Sequence, residues 1–246
     1  MSIRTGGKAV YGATLGILML EAKFPRIHGD IGNARTWPFP VHYRVVAGAT
    51  PDRIVRGDAR VFVDDFVAAA QDLVRMGCDG ITTNCGFLSL IQSDLADRIG
   101  VPVATSSLMQ APAIQATLPP GRRVGILTIS RATLSYEHLA AAGVALDTPI
   151  VGTEGGTEFS HRILGNSATL DVEACRKDML DAAKALVTQN ANIGAILLEC
   201  TNMVPFALDI RRATGLPVFS IYTLISWFQA GLLPQKFDLD CDDPRF

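Results

Sequence analysis

The chain lacks a charge imbalance, a long apolar run and any paired-cysteine motif, and each absence removes a class of function. Its 22 basic and 24 acidic residues nearly cancel, so there is no electrostatic case for nucleic acid or an anionic membrane. No apolar stretch is long enough to cross a bilayer. The opening MSIRTGGKAVYG has neither the apolar segment nor the small-residue cleavage site of a secretory leader, so a cytoplasmic protein is expected. Cys78, Cys85, Cys175, Cys200 and Cys241 form no C-x-x-C and no zinc-type spacing with histidine, and they read as reduced thiols. His28, His42, His138 and His161 show no metal-ligand spacing. The glycine-rich GTEGGTE of 152–158 fits neither G-x-G-x-x-G nor a P-loop. No metal and no cofactor is expected.

What the chain does have is an internal repeat, the feature to seek first. Residues 79–107, DGITTNCGFLSLIQSDLADRIGVPVATSS, align without a gap on 194–222, GAILLECTNMVPFALDIRRATGLPVFSIY. A constant offset of 115 pairs Ile81 with Ile196, Cys85 with Cys200, Asp94 with Asp209, Gly100 with Gly215 and Pro102 with Pro217. The expected architecture is a duplicated α/β chain of two pseudo-symmetric parallel-sheet domains with the site in the cleft between them. The first domain spans 1–118 and is completed by 223–246; the second spans 119–222, after a hinge at Pro119-Pro120-Gly121. Hydrophobic content of 48% supplies ample core.

Apolar runs bounded by turn residues predict strands at Ala13–Leu20, Val41–Ala47, Gly80–Thr83, Val103–Thr105, Val124–Ile129, Ala195–Glu199 and Val218–Ile221. Helical periodicity predicts helices at Asp58–Met76, Phe87–Arg98, Val172–Gln189, Val204–Ala213 and near Leu224–Leu232. Strands alternating with helices make parallel sheets, whose ligands sit beyond the strands' carboxyl ends. Both repeated cysteines fall there. Residues 25–40 form a long loop carrying Arg26, His28, Asp30, Asn33 and Arg35. Either arginine could pair a substrate carboxylate and the loop could close over a site, although charged loop residues are ordinarily solvated.

A cysteine between a strand and a helix faces backbone N–H groups and the positive end of the helix dipole, which lowers thiol pKa. Free cysteines are more often small buried hydrophobes. Two of them at equivalent positions among polar residues reverse that balance. Cys175 shares an apolar helix stripe and reads as core; Cys78 lies in a turn and Cys241 in the tail, and none of the three is given a role.

The segments TNCGF and LECTNM, in a duplicated α/β chain of this length, resemble the aspartate/glutamate racemase superfamily. The resemblance implies two similar domains with a small carboxylate-bearing substrate between them, an amino acid or a derivative, and a homodimer. It implies that Cys85 and Cys200 act as base and acid in a cofactor-independent racemase or epimerase. Thr83, Asn84 and Gly86 at the first thiol, and Thr201 and Asn202 at the second, would bind substrate. So would Thr128, Ser130 and Thr133, in the hydroxyl-rich stretch TISRATLS, for which helix capping is the competing role. Gly86-Phe87 replaces the Asn-Thr that follows the first cysteine in many amino-acid racemases of that group, and Asn202 replaces the histidine of glutamate racemases. The alternatives are a decarboxylase or a maleate-type cis–trans isomerase of the same superfamily, or a catalytically silent binding protein.

Overall fold

A computed structural model describes residues 3–237; Cys241 lies outside them. Two four-stranded, all-parallel sheets carry the fold. In the first, β1 (Leu15–Leu20), β2 (Val41–Val46), β3 (Gly80–Thr83) and β4 (Val103–Ala104) run in the order β2-β1-β3-β4. In the second, β5 (Arg123–Thr128), β6 (Ile150–Gly152), β7 (Ile193–Leu198) and β8 (Val218–Phe219) run β6-β5-β7-β8. The central strands read LGILML and IGAILL because both their faces are covered. Strand order reverses between β1 and β3 and between β5 and β7, and the crevices opened at these reversals are where such sheets bind ligands.

The repeat is reproduced element by element. After each repeated cysteine comes a 3-10 helix, Gly86–Ile91 or Thr201–Phe206, then an α-helix, Gln92–Ile99 or Ala207–Thr214. Each α-helix ends on a left-handed glycine, Gly100 at φ 82° and Gly215 at φ 71°, a conformation that costs other residues steric strain. The expected single helices after the cysteines are therefore two-part. Pro205 stands inside the second 3-10 segment, and proline supplies no N–H for a continuous α-helical ladder. Similarly, the helix expected from Asp58 starts at Val63, because the Asp58 side chain caps a preceding 3-10 turn, Ala59–Phe62.

Burial links the halves. One apolar cluster includes Leu18 and Phe87 of the first half and Ile126, Leu198 and Met203 of the second. A second cluster packs Ile221, Leu224 and Ile225 of the last helix, Ile221–Leu232, against Leu15, Ile17 and Met19 of β1. The loop over 25–40 departs from a solvated surface. Asp30 and Trp37 are buried, Trp37 stacks on Tyr222 at 5.6 Å, and Tyr43 donates its hydroxyl to the Ile31 carbonyl at 2.9 Å.

Candidate active site

The duplication brings its two thiols to one cavity. Cys85 follows β3 and Cys200 follows β7, each in extended conformation as the N-cap of its 3-10 helix. Both are buried, and both line one small cavity whose wall also includes Arg26, Asn84, Gly86, Glu199 and Asn202. Its apolar side is formed by Phe24, Val55, Phe87, Ile163 and Leu164.

The helix-terminus geometry is present, but it does not acidify the thiols. Backbone N–H groups of Phe87 and Leu88 favour a thiolate at Cys85, yet burial, followed by the charge of Glu199, pushes its pKa up to about 12. Burial and then Glu199 also raise Cys200 well above the ordinary thiol range, against the N–H of Asn202. Desolvation of a charge in an apolar cavity outweighs one or two backbone dipoles. Both resting thiols are therefore protonated at neutral pH, contrary to the expectation from position alone.

Glu199 is the third titratable group here. Its side chain is fully buried, and burial raises its pKa to about 7 despite hydrogen bonds to one carboxyl oxygen. The Thr128 hydroxyl donates to Oε2 at 2.8 Å and the Ile129 N–H at 3.5 Å. Oε1 is buried and has no hydrogen-bond partner among the described residues. It lies against Gly86, where a Cβ would overlap it and come 2.5 Å from the Glu199 carbonyl oxygen. Gly86 is thus a residue of close approach, and the 115 offset sets Glu199 opposite Asn84 in the repeat.

The remaining expected residues divide into wall and support. Asn84 and Asn202 face the cavity with Gly86. Asn84 Oδ1 accepts from the Leu20 N–H at 2.7 Å. Asn202 accepts from the Cys200 thiol at 3.5 Å and donates Nδ2 to Asp30 Oδ2 at 2.5 Å. Thr201 donates to the Asn84 carbonyl at 2.6 Å, joining the two cysteine turns behind the wall. Thr83 donates to the Thr105 carbonyl at 2.6 Å, and Thr128 reaches the cavity only through Glu199. Ser130 is buried and Thr133 half-buried, and neither is part of the cavity wall.

Of the two loop arginines, Arg26 enters the wall. It pairs with Asp30 at 3.0 Å and lies over the Phe24 ring at 4.3 Å, while Arg35 is exposed. The setting of Glu199 escapes a sequence reading because its contacts, Thr128 and Gly86, are remote in sequence. Ile163 and Leu164 escape it because their helix, Phe159–Leu164, is too short to show a period.

Comparison with known proteins places these features in a family. No family model matches the chain. A dimethylsulfoniopropionate lyase of Durusdinium sp. clade D is 29% identical over 95% of this chain and 77% of its own length. Dimethylsulfoniopropionate lyase 7 of Emiliania huxleyi is 31% identical over 95% of this chain and 69% of its own length. Among solved structures, unliganded arylmalonate decarboxylase superposes with a TM-score of 0.57 at 16% identity, covering 92% of this chain and 94% of that one. A glutamate racemase from Bacillus anthracis gives 0.58 at 15% identity, covering 89% and 82%. The chain belongs to the dimethylsulfoniopropionate lyase family, a family of enzymes, and is built on the two-domain fold of the aspartate/glutamate racemase superfamily.

Proposed function

We propose that the chain is a lyase that eliminates dimethyl sulfide from dimethylsulfoniopropionate, with a cavity thiol removing the proton beside the carboxylate. The observation that carries this reading is the pair of buried thiols sharing one cavity with Arg26, in a chain whose relatives bear that lyase name. The thiolate of Cys85 takes the α-proton. The C–H electrons become the Cα=Cβ bond, the Cβ–S bond breaks, and dimethyl sulfide leaves with that electron pair. Acrylate remains.

Charge building on the carboxylate during proton removal is met by the Arg26 guanidinium and the Asn84 amide, donors fixed before the reaction begins. The sulfonium methyl groups form no conventional hydrogen bonds, which suits them to the apolar side made by Val55, Ile163 and Leu164. Cys85 is favoured over Cys200 as the base: two N–H groups and Arg26 act on it, whereas Cys200 faces Asp30 and donates its proton to Asn202.

Racemisation of a small amino acid or derivative is the second reading, favoured by the second thiol in the same cavity. It shares α-proton removal with the elimination and differs in where the electrons go next. Purified protein incubated with dimethylsulfoniopropionate is expected to release dimethyl sulfide and acrylate, read by headspace gas chromatography and proton NMR. Cys85→Ser is expected to lower turnover by about 10²–10⁴-fold, the usual contribution of a positioned base, and Cys200→Ser by clearly less. Equal losses in the two variants, with α-proton exchange into deuterated amino acids or hydantoins and no dimethyl sulfide, would instead establish the racemase.

A further inference from the structure

We propose that Glu199 is the proton acceptor for the Cys85 thiol, so that carboxylate and thiolate share one negative charge inside the cavity. This rests on the role given above to Cys85. The geometry carries it: a buried carboxyl oxygen with no partner among the described residues lies against Gly86, the residue after the thiol. Its other oxygen is anchored by Thr128 and Ile129. Glu199 and both thiols line the same wall.

The groups around it leave few other acceptors. From the turn after β1 come Arg26 and Asp30, already paired with each other. From β7's end comes Cys200, whose proton is directed to Asn202. β5 contributes the uncharged Thr128. The helices Pro51–Val55 and Phe159–Leu164 face the cavity with Val55, Ile163 and Leu164, their charged Asp52, Arg53 and Arg162 being exposed. His138 packs edge-on to Phe87 and is held neutral by burial, its pKa lowered to about 4.

Once Glu199 has ionised, the charge rests on it and both thiols are neutral. The S–H bond of Cys85 breaks, an O–H bond forms on Glu199, and the charge moves to sulfur with no net change in buried charge. After the thiolate takes the substrate's proton, Glu199 returns its own to solvent when product leaves. Two full charges so close in an apolar cavity repel strongly, so the groups titrate as a pair. In the repeat, Asn84 occupies the equivalent position, and an amide cannot take this proton. Only one copy carries the acceptor.

The test needs no substrate, so it reads out whether or not the lyase assay succeeds. Alkylation of Cys85 by iodoacetamide is followed by peptide mass mapping from neutral to alkaline pH, in the wild type and in Glu199→Gln. Access to the cavity scales all rates alike, so the shape of the profile reports thiolate. Once Glu199 has ionised, each further thiolate must displace its charge, and the wild-type rate is expected to level off above about pH 7. In Glu199→Gln, which keeps the volume and an oxygen for Thr128, the rate climbs about tenfold per pH unit, as for an uncoupled thiol. Thr128→Val removes a hydrogen bond that favours the carboxylate, and it should move the onset of levelling to higher pH. This second variant keeps the test open if Glu199→Gln fails to fold. A wild-type rate climbing about tenfold per unit without levelling, or a Glu199→Gln or Thr128→Val profile unchanged from wild type, would overturn the proposal.

Discussion

Glu199 also leaves a mark on stability, with a definite sign. Its pKa is raised from 4.5 to about 7 on folding, so the folded chain binds this proton more tightly than the unfolded one. That stabilisation is complete below the unfolded value and is lost as pH rises through the folded value. The shift corresponds to roughly 3 kcal/mol. His138 has the opposite sign: its pKa falls from 6.5 to about 4, and the stability tied to its neutral ring is lost as pH falls. Comparing wild type with Glu199→Gln at each pH cancels the histidine. Urea unfolding is expected to show the variant gaining on wild type by up to about 3 kcal/mol between about pH 5 and about pH 8. A constant difference across that window would mean that Glu199 does not change its protonation on folding. At this scale, the two cysteines were legible in the sequence because they repeat. Glu199 was visible only as a polar neighbour, since its carboxyl is defined by Thr128 and Gly86, which the chain brings in from far away. Position alone points the thiol pKa the wrong way, because it reports dipoles, whereas burial depends on everything else packed around the sulfur.

At the scale of elements, the repeat makes a quantitative forecast. Gly100 and Gly215 end equivalent helices in left-handed conformation, and at neither would an added Cβ meet an atom of the described residues within 4 Å. Alanine at either position should therefore cost backbone strain alone, about 1–2 kcal/mol, and nearly the same amount at both. Chemical denaturation of the two variants checks this, and a large inequality would mean that the copies carry different loads. The long elements were readable beforehand. Val172–Gln189 matches the expected helix to the residue, since eighteen residues display a period clearly. Short elements were not: β6 is three half-buried residues, without alternation or a sustained apolar run. Apolar residues three apart suit both geometries, so the sequence pattern does not separate these 3-10 segments from α-helix.

The whole molecule is held around its cavity by bonds from one half to the other. Thr201 reaches the Asn84 carbonyl, Ser107 donates to the Leu198 carbonyl at 2.7 Å, and Asn202 fastens Asp30 and with it the loop. The Asp30–Asn202 bond is buried and carries a formal charge, a class worth about 1.5–3 kcal/mol. A double-mutant cycle of Asp30→Ala and Asn202→Ala, read by urea unfolding, should return a coupling energy of about that size. Additive losses would mean that the Asp30–Asn202 bond does not fasten the loop. The duplicated architecture and its parallel sheets could be anticipated from the repeat. The fastening of the loop could not, because one turn-rich stretch looks much like another until its aspartate finds the asparagine that receives it.

The exchange of Asn84 for Glu199 between otherwise matching turns breaks the symmetry that duplication would impose. Two identical thiol environments would treat the two faces of a bound carbon alike, as interconverting mirror images demands. Here, in the reading proposed above, proton abstraction is served from one side only. For a methylene carbon with two chemically equivalent hydrogens, the consequence is stereochemical: the enzyme takes the same prochiral hydrogen at every turnover, although neither product retains a stereocentre to record the choice.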